Sequence, residues 1–188
     1  MIRIIRGKNK KTKIDVPKIG VRPTSSIKKE SIFSILESYS LKNNYEIYKK
    51  KYFLDLFSGS GSLGLEAISR GAEFCYFYEY SSEVIKVLKK NCIKICKNDN
   101  YEIIQEDVTQ SNFTNVKNKI STIFIDPPYN LNIFTIVLKI ILKKNLISKK
   151  TIIVIESEKN TIVNLPNTLK VFDERFYGKT KIMFVKKN

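Results

Sequence analysis

Asp55 stands four residues ahead of Gly59 in the run Ser58-Gly59-Ser60-Gly61-Ser62-Leu63-Gly64, and Glu79 follows Gly59 by twenty residues. Glycines at this spacing let a backbone loop approach a ligand closely, and an acid at the next strand end can accept hydrogen bonds from ribose hydroxyls. Phe57 and Ser58 lead into the loop, Gly59 and Gly61 are its points of close approach, and Tyr80 adjoins the acid. The pattern indicates an adenosine-bearing cofactor, of which two kinds must be weighed. A nicotinamide dinucleotide would rest its pyrophosphate on the helix N-terminus, where Asp55 would repel it. A ligand with an amino group and a cationic centre, as in S-adenosyl-L-methionine, would be attracted by that carboxylate. Asp107, with Val108 beside it, supplies a third acid suited to an adenine amino group. Each acid alone reads as a helix cap, Asp107 most readily and Glu79 least. Three of them after three successive strands line the carboxyl edge at which doubly wound sheets bind ligands.

A second constellation is Asp126-Pro127-Pro128-Tyr129, which follows the apolar run Thr122-Ile123-Phe124-Ile125. Proline cannot donate a ladder bond, so the strand must stop there and the segment becomes a rigid loop. Asp126 and the Pro127 carbonyl offer two acceptors for both hydrogens of an exocyclic base amine, with Tyr129 as a face for base stacking. A strand-terminating turn with a surface tyrosine is the plain alternative; it suits a lone Pro-Pro better than this tetrapeptide at the end of a fourth strand. Histidine is absent, which excludes Ser-His-Asp and Cys-His nucleophilic chemistry and His-bearing zinc sites. Three cysteines, Cys75, Cys92 and Cys96, cannot fill a four-thiolate cage and read as packing residues. No metal is expected.

These residues need elements to hold them. Short apolar runs alternating with helical segments predict strands at 52–57, 74–79, 101–105, 121–126 and 151–156, with helices near 61–70, 81–97 and 131–145. The expectation is a doubly wound, mostly parallel, seven-stranded Rossmann-like α/β sheet. Its last two strands, Leu169–Phe176 and Lys181–Lys186, would form an antiparallel hairpin around Tyr177-Gly178. Ahead of the sheet, Ile2–Arg6 and Lys13–Val16 read as a small hairpin. A helix follows from an N-cap at Thr24 to about Ser40, then a polar loop over Asn43–Lys51. Residues 1–45 are expected to be a basic, RNA-binding extension and 46–188 the catalytic domain.

A chain of 188 residues favours one main core. Its net charge of +16 suits a polyanion. Lysine outnumbers arginine 29 to 5, so coding bias contributes, but ten Lys/Arg against two acids in residues 1–30 concentrate half the surplus there. Arg3, Arg6, Lys8, Lys10, Lys11 and Lys13 are the candidate phosphate contacts. No apolar run approaches the ~20 residues that cross a bilayer, and no signal-like stretch opens the chain, so a cytoplasmic protein without membrane contact is expected.

Read together, Arg3-Ile4-Ile5-Arg6-Gly7, Val21-Arg22-Pro23-Thr24, Lys29-Glu30-Ser31-Ile32-Phe33, Asp55-Leu56-Phe57-Ser58-Gly59-Ser60-Gly61, Leu65-Glu66-Ala67, Ser69-Arg70-Gly71-Ala72 and Tyr177-Gly178-Lys179-Thr180 resemble, over essentially the whole chain, the bacterial 16S rRNA guanine-N2 methyltransferase D family. This is a family of class I S-adenosylmethionine-dependent enzymes in which an Asp-Pro-Pro-Tyr motif serves exocyclic amines. Departures are mild: Ser58 stands where alanine is common, and lysine replaces many arginines. The resemblance implies S-adenosyl-L-methionine as cofactor and a monomeric enzyme. It also implies a guanine of small-subunit ribosomal RNA, position 966, free or in an assembling 30S particle, as substrate. Asp126, Pro127, Pro128 and Tyr129 would be catalytic, with Arg22 and Thr24 as the near wall of the site. Adenine-N6 methylation of nucleic acid uses similar tetrapeptides and is the nearest alternative. An NAD-dependent oxidoreductase would explain the glycines but not Asp55 or Asp126, and a non-enzymatic RNA-binding protein would explain only the basic arm.

Overall fold

Phe53, Leu54 and Leu56 are wholly buried in β3 (Tyr52–Leu56), the strand that leads into the glycine loop. Alternate residues of this strand serve opposite faces, so Phe53 packs with one hydrophobic cluster while Leu54 and Leu56 join another. A strand buried on both faces must be covered on both, which is the physical basis of the doubly wound sheet. The computed structural model describes residues 2–17, 25–96, 100–128 and 131–188, with the side chains of 131 and 132 excepted. Within them lie β1 (Ile2–Arg3), β2 (Lys13–Ile14), α1 (Ser26–Lys42), β3, α2 (Ser62–Ser69), β4 (Phe74–Tyr78), α3 (Ser82–Ile95), β5 (Tyr101–Ile104), β6 (Ile120–Ile125), α4 (Leu131–Lys143), β7 (Ile152–Glu158), β8 (Leu169–Tyr177) and β9 (Thr180–Lys187).

The seven-stranded sheet has the order β5-β4-β3-β6-β7-β9-β8. Its first five strands are parallel, and β9 runs antiparallel to both neighbours. Strand order reverses between β3 and β6, the switch point at whose carboxyl ends such folds open a crevice. Residues of α1, α2 and α3 cover one face and those of α4 the other.

The expected α/β sheet and its C-terminal hairpin are found, with element ends shifted by a residue or two. Other expectations need correction. The N-cap of α1 is Ser25, whose hydroxyl accepts the Lys28 N–H at 3.3 Å; Thr24 lies outside the described residues. Helix α1 runs to Lys42 rather than Ser40. The amino-terminal hairpin shrinks to two residue pairs, Ile2 with Ile14 and Arg3 with Lys13. Bonds from the Ile4 N–H to the Thr12 carbonyl (3.0 Å) and from the Lys11 N–H to the Ile4 carbonyl (2.9 Å) carry it on to a turn whose residues 5–9 bond with α2, as shown below. The polar loop before β3 also hides an anchor, since Ile47 is buried in the core.

Candidate active site

The glycine loop leaves β3 through an unusual backbone. Phe57 takes φ +66°, a left-handed conformation rare for a bulky residue, followed by Gly59 at +54° and Gly61 at +78°. Such outliers persist only where surrounding contacts enforce them, and they cluster at ligand sites. A Cβ on Gly61 would meet Leu88 Cδ1 at 2.5 Å, and one on Gly64 would meet Phe77 Cε1 at 2.3 Å and Cys75 Sγ at 2.6 Å. The third glycine is therefore a packing requirement that lets α2 lie close on β4. Ser58 donates its hydroxyl to the carbonyls of Asp55 and Tyr78, at 2.7 and 3.1 Å, and so ties β3 to β4.

Carboxylates hold this loop. Asp55, 3% exposed, accepts the Gly64 N–H at 3.0 Å, and Glu79 accepts the N–H groups of Gly59 at 3.0 Å and Ser81 at 2.9 Å. Burial pushes the Asp55 carboxyl up to about 8; the Gly64 bond opposes the shift and the Glu79 charge adds to it. Asp107 accepts both the backbone N–H and the hydroxyl of Thr109, at 2.8 and 2.7 Å, so it also organises its own turn. Beyond Glu79 and Asp107 lies an open cleft of about 1020 Å³, bordered by exposed Tyr80 and by Gln105, Glu106, Asp107, Ser111 and Asn112. Val108 buries its side chain beneath this edge.

Asp126 follows β6 directly, at intermediate exposure; Pro127 is buried and Pro128 exposed. Because Leu56 pairs with Ile125, one further step along the register sets Asp126 beside Phe57. The two constellations therefore meet across the switch point. Tyr129, Arg22 and Thr24 lie outside the described residues. The donor set fits S-adenosyl-L-methionine: a buried acid at the loop, an acid at the second strand end, and a cleft beside a third.

The basic arm is not a free projection. Glu66, wholly buried in α2, accepts the N–H groups of Ile5 and Arg6 at 2.8 and 2.9 Å, and Ser69 accepts those of Lys8 and Asn9. Gly7, at φ +84°, passes so close that a Cβ would lie 1.8 Å from the Ser69 oxygen. Lys29, also wholly buried, pairs with Glu66 at 3.2 Å and donates to the Arg3 carbonyl at 2.7 Å; burial lowers its pKa. Arg70 bridges Glu66, Glu37 and Glu30 at 2.9, 2.7 and 3.3 Å. Arg6, although exposed, pairs with Glu30 at 2.8 Å; Arg3, Lys8, Lys10, Lys11 and Lys13 are exposed as well. Several motifs quoted above thus meet in one buried charge network. Sequence reasoning missed that network, although its signal was present: Glu66 sits amid the apolar residues of α2, and a charge there requires partners.

A Rossmann-like sheet of this order, with acids closing three adjacent strands around a glycine loop, defines the class: a methyltransferase. The model of a family described as "Conserved hypothetical protein 95" matches residues 2–186. "Ribosomal RNA small subunit methyltransferase D" of Buchnera aphidicola subsp. Acyrthosiphon pisum is 35% identical over 93% of this chain and 87% of its own. The protein of that name from Haemophilus influenzae is 30% identical over 94% and 89%. The chain belongs to this methyltransferase D family. In fold it matches the solved yhhF protein of Escherichia coli with a TM-score of 0.82, covering 100% of this chain and 98% of that one at 24% identity.

Proposed function

We propose that the protein transfers the methyl group of S-adenosyl-L-methionine to the exocyclic N2 amine of a guanine in small-subunit ribosomal RNA, free or within an assembling 30S particle. In this reading it works as a cytoplasmic monomer, with residues 1–45 as the RNA-binding extension of a methyltransferase unit at 46–188. The observation that carries the reading is the register of β3 and β6, which sets Asp126 beside a loop whose N–H groups are already held by carboxylates. A dinucleotide pyrophosphate needs such N–H groups for itself; here Gly59 gives its own to Glu79 and Gly64 to Asp55. A cationic ligand gains from the same carboxylates.

When bound, S-adenosyl-L-methionine supplies an electrophilic methyl group on a sulfonium. Asp55 would hold its cationic and amino groups, Glu79 its ribose hydroxyls and Asp107 its adenine amine. Asp126 and the Pro127 carbonyl accept the two hydrogens of the guanine amine. They would draw its nitrogen out of conjugation and stabilise the positive charge that grows on it as the new N–C bond forms and the methyl–sulfur bond breaks, its electron pair leaving with the neutral thioether S-adenosylhomocysteine. A carboxylate is too weak a base to deprotonate a neutral amine, yet it takes the proton once nitrogen is cationic. Tyr129 stacks on the extruded or unpaired base, and Arg22 and Thr24 close the near side.

Transfer of labelled methyl in a single turnover, followed by nucleoside digestion, tests the proposal. N2-methylguanosine is the expected product. Asp126→Ala should slow transfer at least ~100-fold with nearly unchanged cofactor affinity. Glu79→Ala should instead weaken cofactor binding by about 1.5 to 3 kcal/mol. A different methylated nucleoside, or an Asp126 variant with near-normal turnover, would refute it.

A further inference from the structure

Residues 43–51, 114–119 and 144–151, which lead into β3, β6 and β7, hold eight lysines and one acid, Glu46. These strands are parallel neighbours, so the three segments gather at the amino edge of the sheet. Tyr52 pairs with Ile120, and Thr122 with Ile152, so the strands begin at nearly one level. With strands ~4.8 Å apart, the segments enter the sheet within roughly 10 Å of one another.

The opposite edge has the opposite sign at β3, β4, β5 and β6, and carries Lys159 only where β7 ends. Residues 57–61, 79–81, 105–111 and 126–128, which follow β3, β4, β5 and β6, hold Glu79, Glu106, Asp107 and Asp126 and no lysine or arginine. Coding bias alone would scatter lysine over both edges. Some lysines near the amino edge have a local explanation. Lys42 and Lys143 lie in the last turns of α1 and α4, where a cation complements the helix dipole. Lys144 donates to Asn112, and Lys51 lies over the Tyr45 ring. Lys49, Lys50, Lys117, Lys119, Lys149 and Lys150 have none of these roles: all six are exposed, and among the described residues none forms an ion pair. The exposed acids Glu46 and Glu73 border the cluster but do not balance it.

We propose that this amino edge is a second RNA-binding face, which holds the ribose-phosphate backbone of the substrate about one strand length, ~17 to 20 Å, from the carboxyl edge where the methyl is transferred. The proposal rests on the RNA methyltransferase reading. Ammonium groups on flexible stems meet phosphates as point charges and read no base edges, so this face contributes affinity and orientation rather than sequence choice. No large apolar side chain is exposed in the three segments, which disfavours the apolar centre of a protein interface or an inserted membrane anchor.

The test is equilibrium binding of a labelled small-subunit rRNA transcript from about 50 to 300 mM salt. It compares the wild type with variants in which all six lysines become serine or all six become arginine. If three or four of them touch phosphates, the serine variant loses roughly 2 to 3 units of log-log salt slope and the arginine variant keeps the wild-type slope. Cofactor affinity and melting temperature should stay as in the wild type; a glutamine set gives the same comparison if the serine set folds poorly. A serine variant with the wild-type slope overturns the proposal and leaves the methyltransferase reading standing. The proposal also fails if the serine variant loses binding only to phosphatidylserine vesicles, which would assign the face to membranes. Wild-type protein that does not bind the transcript overturns the substrate reading, and this proposal with it.

Discussion

Asp55 serves two opposed demands. Its carboxylate caps the Gly64 N–H inside the core, where burial disfavours charge, yet the proposed ligand is a cation that favours it. Its folded-state pKa, about 8, lies above the ordinary 3.8, so the folded protein binds this proton more tightly than the unfolded chain. The resulting stabilisation is complete below pH ~4 and is lost as pH rises towards 8. Thermal unfolding followed from pH 5 to about 8.5 should therefore show a decline that flattens in Asp55→Asn. Cofactor binding should gain strength over the same range, because a cation favours the ionised acid. Calorimetry in buffers of different ionisation enthalpy would detect the released proton, and its absence would place the cation away from Asp55. At this scale much of the proposed site was legible in the sequence, because Asp55, Glu79 and Asp126 announce themselves as candidates by type and spacing. The commitment of Glu79 to the Gly59 N–H was not, since it depends on how β3 and β4 lie side by side.

Helix α2 is the element on which the arm depends. All eight of its residues are buried, and its one acid, Glu66, receives two arm N–H groups, Lys29 and Arg70. Removing that acid leaves a fully buried lysine with the Arg3 carbonyl but no counter-charge, and two backbone donors without their acceptor. Glu66→Ala should therefore destabilise the fold by about 3 to 5 kcal/mol, read as a lower denaturant midpoint. A loss below about 1 kcal/mol would mean that water or another group replaces the carboxylate. The family motifs Arg3–Gly7, Lys29–Phe33, Leu65–Ala67 and Ser69–Ala72 fall into four separate stretches of sequence, and each is locally unremarkable. Only packing reveals them as one network, because charges sixty residues apart share a site once β1 and α2 touch.

For the whole molecule, the arm's fixed position changes what its charge can do. A rigid basic segment loses less entropy on meeting RNA than a flexible one. Because Arg6 is paired with Glu30, the phosphate contacts should come from Lys8, Lys10, Lys11 and Lys13. Replacing these four by serine should lower the salt slope of RNA binding by roughly 2 units and leave cofactor affinity unchanged. Arg6→Ser alone should hardly move the slope. A slope unchanged in the fourfold variant would return the arm's charge to a solvated surface.

By itself, the sequence determined the doubly wound sheet, its C-terminal hairpin, the glycine loop and the acids at the strand ends. Hydrophobic periodicity and turn chemistry are local properties, and a strand buried on both faces writes itself as a short apolar run. Tertiary structure alone decided the strand order that sets Asp126 beside Phe57, the bonding of the predicted hairpin's turn to α2, and the gathering of lysines from three distant loops at one edge. Each depends on partners far apart in the chain, and neither local propensity nor charge count reports which distant residues share a neighbourhood once loop closure and burial have chosen the topology.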